Sequence, residues 1–316
     1  MVRVALVGYG AIGGGILAYC LERNDEVKVV VDSDAHKAGR TVREISRLNT
    51  DVRVLPDVRQ ADLSQVDVAI FATKSRLSQV SSDMEYVLMR GVPVVSTCEE
   101  LACPGPSDAE LARRLDSAAR DRGVSIVGVG VNPGFVMDWV PALAASASKS
   151  PTDIHVTRSV NVSRRRKQLQ NKMGLGLSRA KFDKGVAEGS LGHVGLAESL
   201  RLIAWSLGHE ATEVRTGVSP ILGSGDYVMG ASQFAEGRAG KCAIRLDLEM
   251  SMTSTDYDLI EVRGDPPLKL RFENGVFGDS ATVALTVSAA ERIRQARPGL
   301  ITVLELPLSH SRPFSH

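Results

Sequence analysis

Surplus charge of either sign is missing from this chain: 38 lysines and arginines face 37 aspartates and glutamates. That balance leaves no global field with which to hold nucleic acid or an anionic membrane surface. Cysteine is scarce, with four in 316 residues, at positions 20, 98, 103 and 242. Only Cys98 and Cys103 stand close together, and no histidine pair accompanies them as a zinc set requires, so no metal is expected and the thiols are read as reduced and buried. No apolar run is long enough to cross a bilayer, and no basic stretch leads into a long apolar one at the start, which points to the cytoplasm. Internal repeats and low-complexity segments are absent. A small-molecule ligand is what these absences favour, and a length about twice that of a usual domain favours two domains.

What is present is alternation. Short β-branched runs, near Val2 to Gly8, Val27 to Asp32, Val52 to Leu55, Val68 to Ala72, Pro93 to Ser96 and Val124 to Gly128, are separated by amphipathic stretches at Ala11 to Arg23, Lys37 to Arg47, Leu77 to Arg90 and Asp108 to Arg122. Six strands with intervening helices predict an α/β fold, a doubly wound parallel Rossmann sheet, over residues 1–132. The alternation stops at Asn132-Pro133-Gly134, and an apolar helix is predicted from Phe135 to about Ser146. Beyond it, Ile154, Val156, Val160 and Val162 alternate with His155, Thr157, Ser159 and Asn161, a strand whose polar face suits a ligand site. A second alternating run, Cys242 to Met252, follows a glycine-rich turn at Glu236 to Gly240 and reads as a hairpin, with a helix from Leu196 to Leu207. Residues 133–278 are therefore read as an α+β domain with an open mixed or antiparallel sheet, for substrate binding and dimerisation. Residues 279–316 form a closing segment whose helix, Ser280 to Gln295, returns to the first domain, because Val283, Val287 and Ile293 need a partner.

Gly8-Tyr9-Gly10-Ala11-Ile12-Gly13 lies between a predicted strand and a predicted helix. The first glycine permits a tight turn, the second lets backbone amides approach a pyrophosphate, and the third allows close helix–strand contact, with the helix N-terminus facing the negative charge. Asp32 closes the second strand about twenty residues on, where a carboxylate accepts hydrogen bonds from a ribose. A dinucleotide is expected, NAD(H) first because a carboxylate repels a 2′-phosphate. NADP(H) is the alternative, since Ser33, His36, Lys37 and Arg40 follow closely and can meet that phosphate if Asp32 swings aside.

The other candidates fall at the carboxyl ends of later strands. Ala72, Thr73, Lys74 and Ser75 follow the fourth strand beside the switch point, where a nicotinamide is expected; the plainer reading is a loop with Ser75 or Ser78 as a helix cap. Glu99 and Glu100 follow the fifth strand, and one of them is the candidate for proton transfer, while helix-terminal acids stabilised by the dipole are the alternative. Asn132 and Pro133 follow the sixth, where a carboxamide can face cofactor or substrate. The run Ser163-Arg164-Arg165-Arg166-Lys167 offers a guanidinium fork for a carboxylate, with Arg164 as candidate, or a solvated charge cluster. His193, between glycines before a helix, is read as a pocket wall or a loop histidine, and His155 as structural.

Together, the fingerprint, Ser96-Thr97-Cys98-Glu99-Glu100-Leu101, Val131-Asn132-Pro133-Gly134-Phe135-Val136-Met137-Asp138, the arginine stretch running into Lys172-Met173-Gly174-Leu175-Gly176, Gly192-His193-Val194-Gly195, Gly278-Asp279-Ser280-Ala281-Thr282 and Arg297-Pro298-Gly299-Leu300 resemble the 2,4-diaminopentanoate dehydrogenases and the related native amine dehydrogenases. The resemblance spans nearly the whole chain. It implies a fold like that of dihydrodipicolinate reductase, a homodimer formed through the second-domain sheet, and interconversion of an amine with a ketone plus ammonia. It also implies that one of the Glu99-Glu100 pair is the essential acid; analogy with the Glu-Lys-Pro turn of other two-domain dehydrogenases favours Glu100. The candidates for substrate contact are Asn132, Met137, Arg164 and His193. Dihydrodipicolinate reductase itself fits poorly, because its paired histidines, nearby lysine and Ser-Gly-Thr anion loop have no counterpart. The expected activity is reversible oxidative deamination; the alternatives are an imine or ketone reductase of the same fold and, further off, an NAD-sensing protein without turnover.

Overall fold

The computed structural model describes residues 1–307, so the end of the closing segment, 308–316, lies outside the described residues. The chain divides into two units, Met1–Val131 with the segment from Gly278 onward, and Asn132–Phe277.

The first unit begins with β1 (Arg3–Val7), α1 (Ala11–Glu22), β2 (Glu26–Val31), α2 (Val42–Ser46), β3 (Val54–Leu55), β4 (Val68–Phe71), α3 (Ser81–Leu88), β5 (Val94–Ser96), α4 (Ala109–Asp121) and β6 (Ser125–Gly128). All pairings among these strands are parallel. The strands are buried on both faces, which is why they read as continuous apolar runs. Alternate residues Ala5, Val7, Val29, Val31, Ala69, Phe71, Val94 and Ile126 share one core with Met84, Val87 and Leu88 of α3 and Leu115, Ala118 and Ala119 of α4. The helix predicted over Lys37 to Arg47 is shorter than expected. Thr41 and Glu44 form a reciprocal capping box that starts α2 at Val42, and Gly39, at φ +81°, keeps the chain before it in turns.

The second unit holds α5 (Trp139–Ala145), β7 (Asp153–Asn161), α6 (Lys167–Lys172), α7 (Arg179–Ala187), α8 (Leu196–Ser206), β8 (Ala211–Leu222), β9 (Val228–Ala239), β10 (Cys242–Ser251), β11 (Tyr257–Arg263) and β12 (Leu268–Phe272). Its six strands run in the order β12-β11-β7-β10-β9-β8. β7 and β10 are parallel and the other pairs antiparallel, so the sheet is mixed. Ile154, Val156 and Val160 of β7 stand in register with Ile244, Leu246 and Met250 of β10, and α5 and α8 cover the sheet. The α5 helix starts later than Phe135, because Asp138 accepts from Trp139 N and holds the preceding residues in turns. The hairpin turn is also shorter than expected: Glu236 and Gly237 belong to β9, and only Gly240 and Lys241 separate Ala239 from its partner Cys242.

The chain then returns to the first unit through α9 (Gly278–Arg292) and β13 (Gly299–Ile301). α9 packs on α1, where the absent side chain of Gly15 makes room for Val283. β13 adds a seventh strand, parallel to β6, giving the order β13-β6-β5-β4-β1-β2-β3. The order reverses direction between β1 and β4, the switch point of a Rossmann sheet.

Candidate cofactor and catalytic residues

The three glycines of the β1–α1 turn do three different things. Gly8 has φ +97°, and a Cβ there would lie 2.4 Å from the Ala72 carbonyl oxygen; at Gly13 it would lie 1.9 Å from that of Gly8. Both glycines let backbone meet backbone. A Cβ on Gly10 would meet nothing within 4 Å, so this glycine leaves open space in front of the helix. Gly14 N is the amide that closes the first turn, onto Gly10 O, and the first turn carries no acid. The amides of Ala11, Ile12 and Gly13 therefore have no partner within the helix and point their positive ends into the space that Gly10 keeps clear. These residues fit a dinucleotide's diphosphate.

Asp32 sits beside the turn. Its Oδ2 accepts from Tyr9 N at 2.8 Å and from Lys37 Nζ at 3.0 Å, and its Oδ1 accepts from Asp34 N at 2.9 Å. Burial pushes its carboxyl upward, but these bonds outweigh burial and hold it below the usual range. Lys37 also donates to Tyr9 O at 2.9 Å, so one ammonium braces both the acid and the glycine turn. Ser33, His36 and Arg40 are exposed.

Ala72 and Ser75 are half-buried, and Thr73 and Lys74 are exposed. Neither Ser75 nor Ser78 caps a helix: Arg76 and Val80 occupy those positions. Ser75 instead receives the next strand's loop, its carbonyl accepting from Glu100 N and Cys98 Sγ. Glu99 and Glu100 lie on a short 3₁₀ turn, Glu99–Leu101, against which β6 closes because Gly128 has no Cβ to meet Ala102. Both Glu100 oxygens are engaged, Oε2 by Leu77 N at 2.7 Å and Oε1 by Arg76 at 3.2 Å. Burial, then the charge of Glu99, pushes the neighbouring Cys98 thiol up to about 12, too high for a nucleophile.

In the second unit, the turn after Asn132 is clamped from two sides. Asp138, fully buried, accepts from Gly134 N, Trp139 N and Ser199 Oγ; burial pushes its carboxyl upward against those three donors. On the other side, His193 Nε2 lies 3.1 Å from Asn132 O. Gln233, buried on β9, holds the His193 backbone at both ends, accepting from its N–H at 2.6 Å and donating to its carbonyl at 3.2 Å. Burial, followed by the charges of Lys172 and Arg158, lowers His193 to about 3, so its ring is neutral. The Asn132 side chain, 7% exposed, has no hydrogen-bond partner at either Oδ1 or Nδ2. Pro133 is buried, and Met137, fully enclosed, has no surface to offer a ligand.

Within the arginine run, Arg164 is exposed while Arg165 is buried, stacked 3.9 Å over Phe277 and 3.5 Å from Asp256. Arg158 went unread in the sequence. It occupies the apolar register of β7 and pairs with buried Asp258 at 2.7 Å, while Nη2 donates to Val276 O. An arginine between Val156 and Val160 is a usable signal, since that position requires an acid partner. Gln233, Asp138 and Ser199 carried no comparable signal. His155 pairs with Asp247 at 2.7 Å. The cysteines are free thiols, and no metal-binding group of side chains exists among the described residues. No helix among them is long and apolar enough to cross a membrane.

A comparison with known proteins places this arrangement. The chain is 27% identical to a 2,4-diaminopentanoate dehydrogenase of Acetoanaerobium sticklandii, over 97% of this chain and 94% of that one. Its fold is similar to that of an amine dehydrogenase from Mycobacterium smegmatis, with a TM-score of 0.87 at 20% identity, covering 98% and 97% of the two chains. It is more distantly similar to an engineered D-amino acid dehydrogenase solved with NADP+, with a TM-score of 0.50 at 16% identity, covering 97% and 94%. The family model for the 2,4-diaminopentanoate dehydrogenase C-terminal domain matches residues 135–313, more than half of the sequence. The chain belongs to the 2,4-diaminopentanoate dehydrogenase family.

Proposed function

We propose that this protein catalyses the reversible, NAD(P)-dependent oxidative deamination of a small amine to a ketone and ammonia. The observation that carries the reading is the turn at Gly8, Gly10 and Gly13: two glycines that the fold itself requires, and one that leaves the amides of the helix start open to a diphosphate. Family membership and the acid pair after β5 direct that cofactor site toward amine chemistry.

When bound, the nicotinamide supplies a hydride acceptor. The amides of Ala11, Ile12 and Gly13 hold the diphosphate, and Asp32 accepts from the adenosine ribose. NAD(H) is the preferred cofactor. NADP(H) binds when Lys37 leaves Asp32 and meets the 2′-phosphate, an exchange that the 3.0 Å pairing of these two residues makes local. We assign proton transfer to the Glu99–Glu100 pair. Glu100 also accepts from Leu77 N and Arg76, which ties the pair to the loop after β4. A carboxylate of this pair removes a proton from the substrate ammonium, freeing the lone pair that expels the hydride, releases that proton to solvent, and moves protons again as the imine is hydrolysed. Asn132 and His193 belong to substrate binding. The proposed homodimer uses the face of the second-unit sheet that carries His155, Asp247, Arg245 and Glu236, and the reaction belongs to the cytoplasmic cofactor pool.

The test is oxidation of NADH and NADPH across a panel of ketones, with and without ammonium. Oxidation that needs ammonium and yields the amine supports the reading. Equal oxidation without ammonium identifies a ketone reductase, and cofactor binding without turnover on any ketone identifies a sensor.

A further inference from the structure

Asp32 is heavily used before any cofactor arrives. Its Oδ2 takes two donors, Tyr9 N and Lys37 Nζ, and its Oδ1 takes one, Asp34 N. An ionised carboxylate has about four acceptor positions, so one is left, on Oδ1, for a ribose hydroxyl. The other hydroxyl, or a phosphate in its place, meets the charges around Asp32. Local bonds fix those charges. The Asp34 carbonyl accepts from Lys37 N at 2.9 Å, and Asp34 Oδ1 accepts from His36 N at 2.9 Å. This turn leaves Asp34 Oδ2 3.7 Å from Lys37 Nζ, which also lies 3.0 Å from Asp32 Oδ2. One ammonium therefore serves two carboxylates. Arg40, the next cation along, is turned onto the carbonyls of His36 and Glu44. The Asp34 side chain is 42% exposed, at the surface beside the ribose acceptor.

We propose that Asp34 is a second determinant of cofactor selectivity, a positioning residue that holds Lys37 between two carboxylates and so keeps its ammonium from the 2′-phosphate of NADP(H). The inference rests on the proposed cofactor site and deepens it. To neutralise a 2′-phosphate, Lys37 has to give up its attraction to both acids. A 2′-hydroxyl carries no charge and bonds to Asp32 while Lys37 stays in place. Asp34 thus disfavours NADPH and leaves NADH unaffected. Because its carboxylate is exposed, the effect is that of a surface ion pair, about two- to fivefold in Kd, and it shrinks as salt screens the charges.

The test uses the full chain with Asp34→Asn, Asp34→Ser, Lys37→Ala and the double variant Asp34→Asn with Lys37→Ala, reading melting temperature and the Kd of NADH and NADPH by fluorescence titration at low and high salt. Asparagine and serine both keep an acceptor for His36 N, so the turn is retained and the melting temperature holds. In either variant NADPH binding should tighten by about two- to fivefold at low salt and by less at high salt, with NADH within about 1.5-fold of the unaltered chain. In the Lys37→Ala background the gain from Asp34→Asn should disappear, because the residue acts through Lys37. Unchanged or weakened NADPH binding in both single variants would overturn the proposal, and so would equal tightening of the two cofactors. An undiminished gain without Lys37 would overturn it as well, by making Asp34 a direct repeller of the phosphate. Failure of the unaltered chain to bind either cofactor removes the cofactor site itself, an outcome separate from failure of the variants alone.

Discussion

Alanine at Gly10 and alanine at Gly13 add the same methyl group three residues apart, and the structure assigns them opposite consequences. Gly10 has φ −88° and ψ −159°, which alanine adopts freely, and a methyl there meets no atom within 4 Å. Gly10→Ala should therefore change stability by less than about 0.5 kcal/mol. The methyl does occupy the approach to the amides of Ala11, Ile12 and Gly13. Pushing a diphosphate off one charge-assisted hydrogen bond costs about 1.5–3 kcal/mol, or about 10- to 150-fold in Kd. At Gly13 the methyl would stand 1.9 Å from the Gly8 carbonyl oxygen, a backbone atom that moves only if α1 shifts on β1. Overpacking of that kind costs about 1–3 kcal/mol, so Gly13→Ala should lower the melting temperature by several degrees and weaken cofactor through the distorted turn. Thermal melts and NADH titration of both variants separate the effects. A Gly10→Ala protein that melts and binds NADH like the unaltered chain would refute the assignment of this turn to a diphosphate.

Three further outcomes follow from the same geometry. Glutamine at the proton-transferring member of the Glu99–Glu100 pair should lower the amination rate by about 10²- to 10⁴-fold with NADH affinity retained, and Glu100→Ala, which strips Leu77 N of its acceptor, should also lower stability by about 1–3 kcal/mol; unchanged turnover in both Glu99→Gln and Glu100→Gln would contradict the assignment to this pair. Lys37→Ala should weaken NADPH binding by about tenfold and NADH binding by much less, and equal losses in titrations of the two cofactors would contradict the exchange proposed for Lys37. His193 carries a pH dependence. Its folded value of about 3 lies below the ordinary 6.5, so the native state favours the neutral ring; that stabilisation is complete above about pH 6.5 and is lost as pH falls toward 3, by at most about 1.4 kcal/mol per pH unit. His193→Gln should flatten denaturant-midpoint curves over that window, and parallel curves for the two proteins would rule the effect out.

The Rossmann half was legible because its strands are buried on both faces and its turn chemistry is local: Gly8, Gly10, Gly13 and Asp32 each do their work within a few residues of a strand end. β13 was not read, since three residues, Gly299–Ile301, carry no periodicity and acquire their partner only when the chain returns to β6. In the second unit, β8 was not read and β9 was read only as the unplaced partner of a hairpin, because their patterns are interrupted. Gly217 makes way for the Phe234 ring, and Pro220 sits in β8, which ends the sheet and tolerates a missing donor. The acid pair was visible, but not the hydrogen bonds that hold Glu100, because Leu77 and Arg76 reach it only once two loops meet. The arginine run shows the same limit. Spacing does not reveal that Arg165 is enclosed while Arg164 faces solvent, since a 3₁₀ turn rather than a helix sets their directions.

The most direct measurement follows atoms rather than rates. With nicotinamide carrying deuterium on its transferable C4 position, a ketone and ¹⁵N-ammonium, the account predicts by mass spectrometry an amine holding both labels, deuterium on the carbon that bears the ¹⁵N. Deuterium recovered in an alcohol, or an unlabelled ketone after prolonged incubation of every ketone offered, would contradict amine dehydrogenation as the reaction of this protein.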